Sequence, residues 1–416
     1  MRRSPGWGMD ETSAVAVRRG QALLELGRAK EAEGHFRTAL AASPGDPELH
    51  TLLAQSLLRQ QRYGEARDAS RAALTADPED VTAHSALAGA LAGLKLLPEA
   101  LEVVRRALEL APLSAGLHLQ EGYVLLAQDR PAEALESVGR ARALAPEDAD
   151  CAALRAAALY ELHRLDEADA AVAEALRLDP QHVDAHRIQG LLALRRGGGE
   201  SAIRAHRTAL RLDPTDSGAR EGLSVALKSR NPLYGALLRY GSWLSSLPTG
   251  TRWLVLLVPF VLTRLLRPFD GQTWAEVLIV VVVALVVLSW ALEPLMNCVL
   301  LLGRERHLLS RPARLATYGF LGFASASIAT VVVGMTAGPP RLMTLALGLG
   351  LWAMATGSAH TVRADLRKVP AIGAAVAALL AVVAFAATVA GAESAGLVVS
   401  LVLLGGIAAT WFTVFA

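Results

Sequence analysis

The chain has 416 residues, a formal net charge of +2 and 53% hydrophobic residues, which leaves room for two or three domains. Its two cysteines, Cys151 and Cys298, build neither a disulfide framework nor a thiolate metal site. No Lys/Arg cluster is interleaved with aromatics on a polar stretch, which excludes a dedicated nucleic-acid binder.

The small net charge conceals an asymmetry. Residues 1–230 hold 29 basic and 33 acidic residues, a balance of −4, whereas residues 231–416 hold 12 and 6, a balance of +6. The second half is almost stripped of charge and rich in Val, Leu, Ala and Gly. A soluble domain followed by a membrane domain accounts for both halves.

Residues 1–12 read as a flexible N-terminus. Arg2 and Arg3 are followed by no apolar run, so the segment does not read as a secretory signal peptide. The domain after it is expected to stay in the cytosol.

Residues 13–216 repeat every 34 positions. Pro44, Pro78, Pro112, Pro146, Pro180 and Pro214 form one column. Two alanine columns keep step with it, Ala32 to Ala202 and Ala39 to Ala209, with no insertion across six units. In the unit 47–80, Leu49, Leu52, Leu53, Leu57 and Leu58 recur at three- and four-residue steps. A break near Gln61 and Arg62 separates them from a second run through Ala66, Ala69, Ala72 and Ala73. The pattern predicts helix, tight turn, helix, with small residues for close approach and a proline that ends the second helix. One such hairpin cannot bury its own apolar face, but stacked neighbours can.

These columns resemble the tetratricopeptide repeat (TPR) family over about half of the chain. The resemblance implies an all-α, right-handed helix-turn-helix solenoid, followed here by a helical transmembrane bundle. The family's small eighth position is met by Gly20, Ala54, Ala88, Gly122, Ala156 and Gly190. Its aromatic positions are mostly replaced: Phe36 alone keeps an aromatic at the twenty-fourth, and the fourth has no Trp. That fourth position is His in four units, His50, His84, His118 and His186. A metal reading fails on spacing. Equivalent residues in adjacent units are expected about 10 Å apart, whereas one ion needs ligand atoms at about 2 Å. The histidines are expected to take over the packing of the missing Trp.

The resemblance also implies that the first helix of each unit lines a concave face. On this sequence the partner-binding candidates are Gln55, Arg59, Leu119, Tyr123, Leu126, Tyr160, Glu161, Arg187 and Arg195. Thr51, Ser85 and Ala153 fall on neighbouring positions of the same face. The middle of the face is small and apolar with two tyrosines, and its ends carry arginine, which suits an amphipathic helix or an extended apolar peptide. Leu119 and Leu126 serve equally well as core.

Residues 217–230 read as a capping helix. Asn231 and Pro232 then break the chain and open an amphipathic joint, 231–252, carrying Tyr234, Tyr240 and Trp243. It suits an interfacial helix on a bilayer, or a helix docked on the array. The layout also resembles bacterial TPR membrane proteins of unknown role, a resemblance that carries no chemistry.

Residues 253–416 contain five apolar segments, roughly 274–292, 316–335, 342–359, 370–391 and 395–416, each able to span about 30 Å. A sixth, 253–266, is short and ends at Arg264. If all six span with the N-terminus inside, the inner loops 293–315 and 360–369 carry Arg304, Arg306, Arg311, Arg314, Arg363, Arg367 and Lys368. The outer loops then carry only Arg267 and Arg341, in keeping with the positive-inside rule. The reading is a multi-pass inner-membrane protein with the array and the C-terminus in the cytoplasm.

No catalytic constellation is found. Ser358 and His360 lack a nucleophile elbow and read as a loop end. No zinc-protease motif, P-loop or dinucleotide fingerprint occurs, and neither a cofactor nor a small-molecule substrate is indicated. The functional expectation is a non-enzymatic adaptor with two partners, a protein or peptide and the lipid bilayer. The alternative is a transporter or lipid-handling membrane module assembled or regulated by the repeats.

Overall fold

The computed structural model describes residues 11–232, 234–236, 273–303, 305–337, 339–359, 368–392 and 394–415. The described residues form helices and turns, with no strands among them. The chain divides into two compact units, Met1–Leu192 with Arg211–Pro214, and Ala193–Leu210 with Thr215–Ala416. The expected span 253–266, most of the joint, Arg264 and His360 lie outside the described residues.

The repeats fold as short helices of 12 to 15 residues. These are α1 (Glu11–Glu25), α2 (Ala29–Ala42), α3 (Pro47–Arg59), α4 (Tyr63–Ala76), α5 (Val81–Gly93), α6 (Leu97–Leu110) and α7 (Ala115–Ala127). They continue as α8 (Pro131–Leu144), α9 (Ala149–Glu161), α10 (Leu165–Leu178), α11 (Val183–Arg195), α12 (Gly199–Leu212) and α13 (Ser217–Lys228). Each proline of the column stands two residues beyond the end of an even-numbered helix from α2 to α12. All twelve alanines of the two columns are 0% exposed, so a methyl group is the largest side chain their sites admit.

Three further columns emerge at the same spacing. Asp46, Asp80, Ser114, Asp148 and Asp216 cap the N-termini of α3, α5, α7, α9 and α13, accepting backbone N–H bonds at 2.8–3.4 Å. His182 holds that place before α11, its Nδ1 accepting from Ala185 N–H at 3.2 Å. The turn inside each hairpin passes through a left-handed residue: Gly27, Gln61, Lys95, Asp129, His163 and Gly197, with φ between 58° and 76°. Four of these are not glycine and carry the strain of that conformation, about 1–2 kcal/mol each. Thirdly, Arg28, Arg62, Arg130 and Arg164 open α2, α4, α8 and α10, each pairing with the Glu three residues on.

The histidine column is tied to backbone. His50, His118 and His186 donate Nε2–H to the carbonyls of Pro44, Pro112 and Pro180 at 2.9–3.0 Å, and His84 uses Nδ1 toward the Asp80 carbonyl. Phe36 lies against Gly20, where an added Cβ would stand 2.5 Å from the ring. The large residue at the twenty-fourth position therefore requires glycine at the eighth.

Buried carboxylates brace neighbouring repeats. Glu33 accepts from Gln60, Arg37 and Arg62 at 2.6–2.9 Å. Burial pushes its carboxyl up, and these bonds more than offset that, holding it below the ordinary carboxylate value. Glu121 accepts from Arg105 and from the Ser137 hydroxyl.

In the second unit, α14 (Thr273–Leu302) is followed by a single 3-10 turn at Arg306–Leu308. Then come α15 (Arg311–Ala337), α16 (Arg341–Ser358), α17 (Lys368–Val389) and α18 (Ala395–Phe415). The sequence placed an inner loop from Glu293 onward. Instead α14 runs through Pro294 to Leu302. Proline inside a helix forfeits one backbone bond and crowds its surroundings. Here Gly357 of α16 leaves room, since a Cβ at that position would stand 2.5 Å from the Pro294 ring. The core of α15–α18 is organised on Trp352. Its indole N–H donates to the Val402 carbonyl at 3.1 Å, Phe323 stacks on it, and Gly373, Gly405 and Gly406 admit its ring. Gly322 serves no such approach.

Candidate partner-binding groove

The first helices α3, α5, α7, α9 and α11 carry the predicted face. Gln55 is half-buried, and Arg59 is exposed with Nη1 donating to the Leu24 carbonyl at 3.3 Å. Leu119 is half-buried. Leu126 is also half-buried and packs on the cluster of Leu91 and Leu125, while Tyr160 packs beside Leu159. Glu161 is exposed, and Arg187 is held by Asp184 at 2.6 Å. Arg195 is half-buried and belongs to the second unit. Thr51 and Ala153, on neighbouring positions, are buried, with Thr51 donating to Asp80 at 2.8 Å. They belong to the packing between repeats and do not line a surface.

The electrostatic centre of the face is Tyr123. It is 41% exposed, yet burial pushes its phenol up. The carboxylates of Asp150 and Asp184 push the same way and Arg187 opposes them. The phenol therefore stays protonated and works as a hydrogen-bond donor on an apolar ring. Beside it, His182 Nε2 lies 2.9 Å from Asp150 Oδ1. With Nδ1 occupied as an acceptor from Ala185, the Nε2–H donates to the carboxylate. This bond, with further attraction from the imidazole, holds Asp150 below its ordinary value against burial. The same bond holds His182 above its own.

Farther along, Ser85 Oγ donates to Gln120 Oε1 at 2.9 Å, and Gln120 Nε2 returns a bond to the Ser85 carbonyl at 2.8 Å. This pair ties α5 to α7. Gly89 leaves ordinary van der Waals space between Leu58 and Gln120.

Of the residues in this field, the register placed Tyr123 and Arg187 and missed Asp150, Asp184, His182 and Gln120. Asp150 and Asp184 stand at the second position of their units, which the family pattern already assigns to the concave face. His182 was legible as the one residue of the capping column that is neither Asp nor Ser. Nothing in the repeat pattern marks Gln120. A cavity of about 470 Å³ lies elsewhere in the first unit, lined by Arg142, Arg155, Arg164 and Glu167 and by none of the predicted residues. Among the described residues no group of three or more His, Cys, Asp or Glu is placed to hold a metal ion.

Two tetratricopeptide repeat family models match the chain, one over residues 51–115, 119–182 and 154–217, the other over 23–69. No curated protein matches. Among solved structures, a thermophilic TPR protein of Thermus thermophilus is 28% identical. It aligns over 42% of this chain and 94% of its own with a TM-score of 0.39. PilF of Pseudomonas aeruginosa is 22% identical over 52% of this chain and 98% of its own, with a TM-score of 0.42. YrrB, described as a TPR protein with an unusual peptide-binding site, is 23% identical over 45% and 96%, with a TM-score of 0.33. Residues 23–217 of this chain carry tetratricopeptide repeats, folded as an all-helical solenoid.

Proposed function

We propose that the protein is a membrane-anchored, non-enzymatic adaptor. Its repeat array presents the face around Tyr123 to a protein or peptide, and the second half holds that array at the inner face of the membrane. The recruiting role is supported by the half-exposed ring of Tyr123, which the repeat register assigns to one face with Leu119, Leu126 and Tyr160, within a repeat type whose members serve as interaction scaffolds. An amphipathic helix with a backbone or side-chain acceptor for the phenol and a basic residue for Asp150 and Asp184 suits this surface.

Membrane anchoring is supported by two helices long and apolar enough to cross a bilayer, Arg311–Thr336 and Val369–Val389. Only 11% and 22% of their apolar windows are buried, unlike the core helix of a soluble protein. Ile328, Val332 and Met335 on α15, and Leu379, Val382 and Val383 on α17, face outward. We read six spans with both ends in the cytoplasm. Arg311 and Arg314 at one end of α15 then meet the inner leaflet.

The recruiting role is tested on full-length protein in detergent, with a photo-crosslinking residue at Gln55 or Glu161. A partner crosslinked by wild-type protein and lost in Tyr123→Ala/Tyr160→Ala supports the reading; equal crosslinking by the double variant overturns it. For topology, single cysteines at Ser310 and Ser394 are introduced after Cys151 and Cys298 are replaced. Labelling of position 310 by an impermeant reagent on intact cells overturns the six-span arrangement.

One observation favours the alternative reading of a lipid-handling module. An apolar cavity of about 590 Å³ lies among α15, α16 and α17, lined by Gly319, Phe323, Leu349 and Phe385. Lipid or solute movement by the full-length protein in liposomes would establish that reading.

A further inference from the structure

The second unit contains a polar cavity of about 450 Å³ that the adaptor role does not use. Its wall takes Arg220 and Lys228 from α13, Glu293 and Asn297 from α14, and Arg311 and Arg314 from the first turn of α15. It is large enough for a substantial polar group.

Three independent observations concern what fits there. Asn297 is 1% exposed, and neither its carbonyl oxygen nor its amide nitrogen has a hydrogen-bond partner among the described residues. A buried side-chain amide left this way loses the hydrogen bonds it made to water and gains none in return. It therefore points to a group that enters the cavity and bonds to it. Lys228 is 7% exposed, and its nearest carboxylate oxygen, on Glu293, stands 3.9 Å away. Burial pushes the ammonium down, with Glu293 and Glu221 opposing only in part, so an added anion would stabilise the charge. Finally, α15 begins at the cavity. Ser310 Oγ caps the Ala313 N–H at 3.3 Å, and the first turn of this 27-residue helix contributes the positive end of its dipole together with Arg311 and Arg314. Neither of these arginines forms an ion pair among the described residues. Counting Arg220, Lys228, Arg311 and Arg314 against Glu221 and Glu293, these Arg, Lys and Glu side chains of the wall carry a balance of +2. That favours an anion.

We propose that this cavity binds a phosphate-bearing anion, with the Asn297 amide as a buried donor and Lys228, Arg311 and Arg314 as its positive charge. Arginine forks and a helix N-terminus suit phosphate oxygens in particular. Two sources share this chemistry: a soluble phosphate compound, and a phospholipid headgroup reached from the end of α15. The inference stands apart from the array's partner and does not depend on it.

The test uses full-length protein in an uncharged detergent. One arm titrates pyrophosphate by calorimetry. The other adds dioctanoyl phosphatidylglycerol, with dioctanoylglycerol as the phosphate-free control, and reads occupancy by native mass spectrometry. One-to-one saturable binding is expected in at least one arm, and the arm that responds assigns the source. Arg311→Gln and Arg314→Gln, made outside the packed core, are each expected to weaken that binding roughly tenfold or more at unchanged Tm. Asn297→Asp, which places a carboxylate against the anion, is expected to abolish it. No saturable binding in either arm overturns the proposal. So does equal occupancy by dioctanoylglycerol, or unchanged affinity in the two arginine variants.

Discussion

The repeat array and the helices after residue 273 solve the packing of α-helices in opposite ways. In the array, helices of about 14 residues meet only near neighbours, and the same alanine pair closes every unit. Twelve alanines with no exposed surface are the result, and no single residue dominates. In the second half the helices are longer, and apolar side chains lie on both inner and outer surfaces. One indole, Trp352, organises the interior with glycines cut to its outline. The difference teaches that repetition distributes stability over many small, equivalent contacts, whereas an apolar bundle gains its specificity from a few shape matches.

The largest effect is therefore expected in the second half. Trp352→Ala removes the ring, its stacking on Phe323 and its bond to Val402, and should cost about 3–5 kcal/mol. Thermal unfolding of the detergent-solubilised protein checks this, and a loss below about 1 kcal/mol would mean the bundle has no keystone. Ala134→Val overfills one unit of the array and should cost about 1–3 kcal/mol. The same change at Ala100 or Ala168 should cost a similar amount, because the units are equivalent. Widely different losses at the three sites would break the distributed picture.

A smaller effect concerns the one interrupted cap. Asp150 is held below its ordinary value, so its contribution is present above the ordinary carboxylate pKa and fades as pH falls through the lowered one. His182 is held above its ordinary value, so its contribution is full below the ordinary imidazole pKa and is lost as pH rises through the raised one. Protonation withdraws Nδ1 from the cap, which tempers this second limb. His182→Asn keeps a capping side chain and removes the titration. It is expected to flatten the alkaline limb of Tm against pH while changing Tm at about pH 8 by little. Asp150 is largely solvent-exposed, so the whole effect should stay below about 1 kcal/mol.

The smallest predicted effect is a gain. Gln61→Gly and His163→Gly relieve left-handed strain in two hairpin turns and should each stabilise by up to about 1 kcal/mol, read by chemical denaturation. Gly27 and Gly197 already occupy the equivalent turns at either end of the array.

The array was legible in outline because its contacts are local and recur. A spacing of 34 residues was enough to place helix ends, turns and the buried alanines. The capping and left-handed columns were written at the same spacing and could have been read there too. The candidate partner-binding face was legible only in part. Tyr123 and Arg187 follow from their register positions. That Tyr123 shares a field with Asp150 and Asp184, and that Gln120 locks onto Ser85, depends on how far each helix turns relative to the next.

What the sequence determined by itself was the repeat, its helical hairpins and the apolar character of the second half, since each is a property of neighbours along the chain. What only the tertiary structure decided were the places where distant segments converge. Gly357 lets α14 continue through Pro294, and a cavity collects Arg220, Lys228 and Arg314 around the Asn297 amide, which has no partner among the described residues. No periodicity encodes such meetings, because they are set by helix packing angles and by loops that bring residues far apart in the chain to one wall.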